Sequence, residues 1–231
     1  MKVAIMQPYF FPYYLYWKMI SEVDKFIILD DVSFIKKGYI NRNYIKAAGK
    51  PKRFGISIKK ISQNRAINQH ELASDHFGFG ELLKESYKEA AHFEAEEKWL
   101  MALMASEEKN LALYLENLLL GVSKRLWFNT EIELSSKIDP EKKYKGEDRI
   151  IKLCSLCAAT DYYNLPGGRS IYTAEKFQNA GLNLNLLHPA EESYRQVGTK
   201  FVPNLSIVDH FFNMGTDGTK HYLENIRGCI S

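Results

Sequence analysis

Several polar segments each follow a predicted strand, and the first of them carries groups that could hold an aromatic ligand. Residues 7–12 read QPYFFP. The Gln7 amide can donate and accept hydrogen bonds, and the aromatic rings could stack on a base. Ligands of open α/β sheets bind beyond the carboxyl ends of strands, where a helix N-terminus also attracts phosphate. The alternative is a proline-fixed turn whose aromatic rings are packed as core.

The second segment combines two carboxylates with a group of basic and amide side chains. Its candidate residues are Asp30, Asp31, Lys36, Lys37, Asn41 and Arg42. The carboxylates could bind Mg²⁺ or ribose hydroxyls, and the basic side chains could pair with phosphate. The alternative is a solvated loop with ordinary ion pairs.

The third segment is NLPGGRS at residues 164–170, again after a predicted strand. Gly167 and Gly168 would let backbone N–H groups approach a phosphate, and Arg169 could bind it with two parallel hydrogen bonds. A Gly-Gly turn is weakly specific by itself. Its position at the end of a strand is what suggests a ligand.

A fourth segment opens a helix near the carboxyl terminus. Ser206 and Asp209 fit a capping box, which gives both residues a structural role. Asn213 lies about one turn further along the same helix. It is a candidate ligand contact, and a structural role stays open for it.

The cysteines and histidines do not form a metal-binding pattern. Cys154 and Cys157 are three residues apart in an apolar helical segment without a second pair. We therefore expect packed thiols rather than a zinc or redox site. Walker A, G-x-S-x-G and G-x-G-x-x-G motifs are absent from the sequence. The cofactor stays unassigned, with Mg²⁺ at the Asp30–Asp31 pair the one metal considered.

The composition predicts a globular protein of the cytoplasm. Apolar residues make up 45% of the 231 residues, which is enough for a core, and charged residues make up 26%. The net charge of +3 comes from interleaved acids and bases, so nucleic acid is not the expected partner. No run reaches the ~20 apolar residues of a membrane helix, and three cysteines without a disulfide framework fit a reducing compartment. The oligomeric state is not predicted.

Alternating strand and helix signals must position the candidate residues. Strands are predicted at residues 2–6, 26–29, 53–58, 132–134, 162–165 and 182–187. Helices are predicted at residues 13–23, 148–159 and 174–180, and residues 80–125 are predicted to be helical throughout. This alternation predicts a single α/β domain over residues 1–231, with a doubly wound, mainly parallel, Rossmann-like sheet. The helical middle is predicted to be an insertion or subdomain.

Taken together, several phrases resemble the WbqC-like family. They are MQPYFFPY at 6–13, DKF at 24–26, DDV at 30–32, FIKKG at 34–38, INRN at 40–43, LSIVD at 205–209 and FNMG at 212–215. The resemblance spans nearly the whole chain. It implies a bacterial protein whose gene is associated with O-antigen or other surface-polysaccharide synthesis, and it does not bring a settled reaction.

A looser resemblance concerns architecture. Nucleotidyltransferases with an HxGH motif, which have a HUP-like sheet, place a proline and two histidines between the first strand and the first helix. Here Pro12 has similar placement, with Tyr13 and Tyr16 where the histidines would fall and Leu15 where the glycine would fall. Tyrosine donates a hydrogen bond but is not cationic at neutral pH. The resemblance therefore implies the fold rather than adenylyl transfer.

These observations predict an enzyme of surface-polysaccharide synthesis that transfers a group to or from a nucleotide-activated or phosphorylated sugar. In this hypothesis Arg42 and Arg169 hold phosphate, with Lys36 and Lys37 as weaker candidates for the same role. Asp30 or Asp31 binds a hydroxyl or Mg²⁺, and Gln7 and Asn41 orient the ligand. Tyr13 and Asp31 are the candidate catalytic groups. The alternative is a non-catalytic accessory protein that binds a nucleotide or sugar nucleotide.

Overall fold

The computed structural model describes residues 1–73, 78–168, 172–188, 192–226 and 229–230. Its strands are β1 (Lys2–Met6), β2 (Lys25–Ile28), β3 (Arg42–Ala47), β4 (Lys50–Gly55), β5 (Glu131–Leu134), β6 (Asp161–Asn164), β7 (Asn183–His188) and β8 (Cys229–Ile230). Its α-helices are α1 (Tyr14–Ser21), α2 (Phe79–Tyr87), α3 (Phe93–Met104), α4 (Leu111–Arg125), α5 (Ser135–Ile138), α6 (Gly146–Leu156), α7 (Ala174–Asn179) and α8 (Ile207–Asn225).

The main sheet is doubly wound, as the sequence predicted. Its strand order is β5-β2-β1-β6-β7-β8. All neighbours pair in parallel except β8, which is antiparallel to β7. The chain starts in the centre with β1, builds outward to β5 and then returns to β6 on the other side of β1. The connections after β1 and β6 therefore diverge, which makes this a switch point where ligands of such sheets bind.

Helices cover both faces of the sheet. Successive side chains of a strand point to opposite faces. Ala4 accordingly belongs to a large hydrophobic cluster with α1, α2, α3, α4 and α8, whereas Val3 and Ile5 pack against α6 and α7. Burial on both faces explains why the strands read as continuous apolar runs.

The segment between β2 and β5 differs in part from the prediction. Helices α2, α3 and α4 occupy the expected helical middle. The strand predicted at residues 53–58 is present as β4, although it spans Lys50–Gly55, and it pairs with β3 in a separate two-stranded antiparallel sheet rather than in the main sheet. Ala48 and Gly49 both have positive φ, at 48° and 72°, which is the geometry of a type I′ hairpin turn. The hairpin places Arg42 and Asn43 beside the segment after β1.

Helix α8 is fastened to that same segment. Ser206 caps its first turn and donates its hydroxyl hydrogen to the Phe11 carbonyl across 2.7 Å, so its structural role is as predicted. The capping box is wrong for Asp209, whose buried carboxylate instead accepts hydrogen bonds from the hydroxyls of Tyr87 and Tyr194. Within the described ranges, no helix combines the length and apolarity needed to cross a membrane.

Candidate functional site

A pocket of about 720 Å³ lies at the switch point of the sheet, and we name it the switch-point pocket. Its described lining residues are Ile5, Met6, Gln7, Tyr9, Tyr13, Leu29, Ile35, Tyr39, Asn43, Ile150, Asn164, Leu165, Pro166, Gly167, Tyr172 and Asn204. The volume is in the range of small-molecule sites. The pocket is therefore the candidate binding site of the protein.

Tyrosines and amides supply the hydrogen-bonding side chains of this pocket. None of the described lining residues is Asp, Glu, Lys, Arg or His. Strong binding of phosphate usually uses the cationic side chains of Arg or Lys, which this described lining lacks. The described part of the pocket suits a base or a sugar ring better than a phosphate group.

The QPYFFP segment divides its aromatic rings between the core and the pocket. Phe10 and Phe11 are buried, whereas Tyr9 lines the pocket. The Asn43 amide donates to the carbonyls of Phe10 and Phe11 across 3.1 and 2.8 Å, which holds the backbone of Phe11 at a φ of 41°. The structural interpretation therefore applies to the phenylalanines, whereas Gln7 and Tyr9 line the pocket and ligand binding by them stays a prediction.

Gln7 and Tyr13 both reach the switch-point pocket. Gln7 lines the pocket, and its backbone carbonyl accepts from the Tyr16 hydroxyl across 2.9 Å. Tyr13 precedes α1 as its N-cap. Tyr16 is fully buried, and this burial raises its pKa well above the ordinary value. Of the two tyrosines at histidine-like positions, only Tyr13 lines the pocket.

Tyr9 and Tyr39 form an aromatic edge of the pocket. Their ring centroids are 5.6 Å apart with an interplanar angle of 49°. A backbone hydrogen bond of 2.9 Å from Phe10 to the Tyr39 carbonyl joins the two segments. Burial, together with the nearby Tyr39, raises the pKa of Tyr9, so its hydroxyl stays protonated. Such rings can stack on a planar or apolar ligand face and donate hydrogen bonds.

Arg42 lies in a smaller pocket of about 230 Å³, which we name the Arg42 pocket. Tyr39 lines both pockets, so they adjoin at this residue. The Nε of Arg42 donates to the Gly38 carbonyl across 3.1 Å, whereas its buried Nη2 has no partner among the described residues. An unmade hydrogen bond of a buried donor is costly. The Nη2 group is therefore a donor that a phosphate could satisfy.

The neighbours of Arg42 contribute less. Lys36 and Lys37 are exposed, and Lys37 lines the Arg42 pocket. Asn41 lines neither pocket, and its amide donates to the Ile56 carbonyl across 3.0 Å, which ties the base of the hairpin. Ligand binding by Lys36 and by Asn41 stays a prediction.

The Asp30 carboxylate lies inside a network of hydrogen bonds. It is fully buried and accepts from Ser135 Oγ, from the backbone and hydroxyl of Ser136, and from the Asn68 amide, at 2.7 to 3.0 Å. Both carboxylate oxygens are thus occupied. This network fixes the loop after β2 against α5 and supplies a structural reason for the residue.

Asp31 is paired with a buried arginine. Its Oδ2 accepts from Arg149 Nη2 across 2.9 Å, and its Oδ1 accepts from Ser135 Oγ across 2.8 Å. Arg149 also bonds the Asp139 carboxylate. Neither Asp30 nor Asp31 lines the switch-point pocket, and the described residues contain no group of three or more acidic, histidine or cysteine side chains that could hold a metal. Their ligand and catalytic roles stay predictions.

The Gly-Gly segment is only partly described. Gly167 lines the switch-point pocket, and Gly168 ends a short 3₁₀ turn that begins at Pro166. Arg169 lies outside the described residues.

Asn213 lines no part of the switch-point pocket. Its side-chain amide instead donates to the Asp209 carbonyl within α8 and accepts from the Val197 backbone N–H. A ligand contact of Asn213 stays a prediction without support from this geometry.

The comparisons with known proteins agree with the phrases noted in the sequence. The signature of the WbqC-like protein family matches residues 7–221. The chain belongs to the WbqC-like family. A relative from Mycobacterium tuberculosis named Uncharacterized protein Rv1507c is 29% identical over 225 residues, which is 94% of this chain and 95% of the relative. No solved structure matches the chain.

The part of the chain that matches the WbqC-like family includes nearly all of the candidate site. Of the described lining residues, Ile5 and Met6 precede the match. Tyr39 and Asn204 lay within candidate segments of the sequence but were given no role, and Tyr172 lay outside these segments. Asn204 follows a proline and has a φ of 55°, so its turn was detectable. Tyr172 gave no such signal, because only the packing of its segment brings it to the pocket.

Proposed function

We propose that this WbqC-like protein binds a nucleotide-activated or otherwise phosphorylated sugar at the switch point of its sheet. The supporting observation is that two adjoining pockets are lined by different kinds of side chain. The uncharged, tyrosine- and amide-lined pocket would receive the base or the sugar, and the Arg42 guanidinium, whose Nη2 has no partner among the described residues, would donate hydrogen bonds to the phosphate. Tyr39, which lines both pockets, would lie between the two parts of the ligand.

In the leading form of the proposal the protein is an enzyme of bacterial surface-polysaccharide synthesis. It would transfer a group to or from the bound sugar in the cytoplasm, where nucleotide-activated sugars are made. Gln7 would orient the ligand, and the Tyr13 hydroxyl, at the N-cap of α1, would be the candidate proton donor.

A specific observation favours the second candidate, a non-catalytic accessory protein. The described lining of the switch-point pocket contains no carboxylate, imidazole, amine or thiol, so tyrosine hydroxyls are its acid–base groups. Burial raises the pKa of both Tyr9 and Tyr172, which makes each a weaker acid at neutral pH. General bases work best with a pKa near the operating pH.

A thermal-shift screen tests the binding proposal. UDP-glucose, UDP-N-acetylglucosamine, GDP-mannose and dTDP-glucose would be compared with their nucleoside diphosphates and with free glucose. A ligand present at 100 times its Kd adds about 2.7 kcal/mol of stability. We expect stabilisation by at least one nucleotide-containing compound, and the absence of any shift with both this panel and glucose 1-phosphate would refute the proposal.

A matched pair of variants assigns the binding to the pocket. Tyr39 and Tyr144 are 47% and 48% exposed, and Tyr144 does not line the pocket. Tyr39→Ala should abolish the stabilisation, and Tyr144→Ala should preserve it.

Release of nucleoside diphosphate from the bound compound would favour the enzyme, and stable binding without turnover would favour the accessory protein.

A further inference from the structure

A second pocket, of about 710 Å³, lies among α3, α4 and α8, and we name it the helix pocket. Its lining includes His92, Glu96, Trp99, Lys124, Trp127 and Asp217. It has no described lining residue in common with the switch-point pocket. The helix pocket is thus a separate concave surface, for which the proposed function supplies no role.

Trp127 occupies a backbone position that glycine normally takes. After α4, the Trp127 N–H donates to the Lys124 carbonyl across 3.1 Å and the Phe128 N–H donates to the Ser123 carbonyl across 3.0 Å. This pair of bonds is a Schellman motif, whose C′ residue adopts the left-handed conformation and is usually glycine. Trp127 holds that position with a φ of 54°. A bulky residue in this conformation is strained, and retained strain of this kind suggests a functional side chain.

The Trp127 side chain gains little from burial. It is 57% exposed, and the Lys220 ammonium lies 5.1 Å from the centre of its ring. Trp99, the other tryptophan of the pocket, has the Arg125 guanidinium 4.4 Å from its ring centre. More than half of the indole therefore stays in contact with solvent, so burial on folding does not explain a tryptophan at this position.

The floor of the helix pocket is rigid. Glu96 is buried, and one carboxylate oxygen accepts from Arg125 Nε and Nη2 at 3.0 and 2.8 Å. The other oxygen accepts from the backbone and hydroxyl of Thr216 at 3.1 and 2.9 Å. A Cβ at Gly215 would lie 2.7 Å from Nδ1 of His92, so glycine is needed where α8 bends. These contacts fix the walls before any ligand arrives.

The formal charges of the lining cancel. Lys124 and Arg125 are balanced by Glu96 and Asp217. A site for phosphate or another polyanion would carry an excess of basic groups, since such ligands are held through charge-assisted hydrogen bonds. An aromatic wall beside polar groups of both signs suits an uncharged ligand with many hydroxyl groups.

We propose that the helix pocket binds a neutral saccharide. The C–H groups of a pyranose ring carry partial positive charge and stack on the electron-rich face of an indole, which here is the exposed ring of Trp127. The ring hydroxyls donate to Asp217 and accept from Lys124. This inference is independent of the proposed function, because it uses other residues and another ligand chemistry.

The test measures saccharide binding by calorimetry and by saturation-transfer NMR. The probes are maltotriose, cellotriose, mannotriose and N,N′,N″-triacetylchitotriose, with inorganic phosphate and UDP as charged comparisons. We expect saturable binding of at least one trisaccharide that neither phosphate nor UDP displaces. Failure of all four to bind, or displacement by phosphate, overturns the proposal.

Trp127→Gly separates the ligand role from a structural one. Glycine relieves the left-handed backbone, so the melting temperature should stay the same or rise while trisaccharide binding is lost. Lys60→Gly is the matched control, since Lys60 is an exposed residue with a φ of 45° outside the pocket. Unchanged binding by Trp127→Gly overturns the proposal.

If that variant does not fold, Asp217→Asn provides the same test at an exposed position. We expect Asp217→Asn to lower the affinity for the trisaccharide at least tenfold.

Discussion

The guanidinium of Arg149 donates to the Asp31 carboxylate, with 2.9 Å between Nη2 and Oδ2, and both side chains are buried. The contact joins the loop after β2 to α6, and the same guanidinium also bonds Asp139. It therefore connects both halves of the doubly wound sheet close to their carboxyl ends.

Removing Arg149 should destabilise the protein strongly. Arg149→Ala leaves two buried carboxylates, Asp31 and Asp139, without their partner, and loss of one member of a buried ion pair costs about 3–5 kcal/mol. Urea unfolding followed by circular dichroism measures this. Lys142→Ala is the control, because its partly exposed ammonium bonds the Asp31 backbone carbonyl and lies 3.8 Å from Asp31 Oδ2, so its removal leaves the Arg149 pair intact and we expect a change within about 1 kcal/mol. Equal effects of the two variants would contradict the importance of the buried pair.

Asp31→Asn distinguishes the structural role of Asp31 from the catalytic one. If the carboxylate acts only through Arg149, the variant should lose stability while the remaining folded protein keeps its affinity for the sugar nucleotide and any turnover. Turnover would be measured well below the unfolding transition. Loss of turnover at unchanged stability would restore Asp31 as a catalytic candidate.

Arg42→Lys should weaken ligand binding without unfolding the protein. Lysine retains the charge but cannot make the two parallel hydrogen bonds of a guanidinium. Charge-assisted hydrogen bonds contribute roughly 1.5–3 kcal/mol each, so the affinity for the sugar nucleotide should fall by about tenfold or more. The apo melting temperature should change little. Arg53→Lys, an exposed position on the same hairpin, is the control that should affect neither quantity. A lower melting temperature at unchanged affinity would remove Arg42 from the site.

Gly167→Ala probes the wall of the switch-point pocket directly. A Cβ at this position would meet no atom within 4 Å, and the residue has no positive φ, so the fold tolerates alanine. Stability should stay the same or rise by up to about 1 kcal/mol. If the ligand approaches this backbone, its affinity falls. Gly80→Ala, on α2 and outside the pocket, should leave the affinity unchanged. Unaltered binding in Gly167→Ala would place the ligand away from the Gly-Gly segment.

His210 should make the protein sensitive to acid. Burial lowers the pKa of His210 to about 3, and its Nε2 has no partner among the described residues. An unfolded histidine binds a proton near pH 6.5, so between that pH and about 3 the unfolded state binds more protons and stability falls as the pH falls. Lowering the pH from 8 to 5 should reduce the free energy of unfolding by about 2 kcal/mol through this one residue.

Urea unfolding at both pH values checks this expectation. His210→Phe should lose about 2 kcal/mol less than the wild type between pH 8 and pH 5. His221→Gln is the control, since His221 is exposed on the same helix and its removal should leave the pH dependence unchanged. The same pH dependence in His210→Phe and the wild type would contradict the assignment.

Local patterns in the sequence determined the fold class. Runs such as Val3–Ile5 and Phe26–Ile28 are apolar without alternation because both faces of these strands are covered, and helical spacing marked the segments between them. The sequence predicted only one of the two strands of the β3–β4 hairpin. Its strands are short and polar, and their pairing depends on an Ala-Gly turn with positive φ rather than on hydrophobic periodicity.

Tertiary structure alone decided what the candidate polar residues contact. Asp31 and Arg149 are 118 positions apart, so no local pattern could tell whether the carboxylate faces a ligand or a buried guanidinium. In the same way, Tyr172 joins Gln7 at one pocket because the strands β1 and β6 are neighbours, and Asn204 joins them because Ser206 holds the start of α8 against Phe11. Sequence periodicity reports whether a position is buried, since burial follows from the local repeat of the chain. The partner of a buried polar group depends on long-range packing, and that is fixed only when the whole sheet has formed.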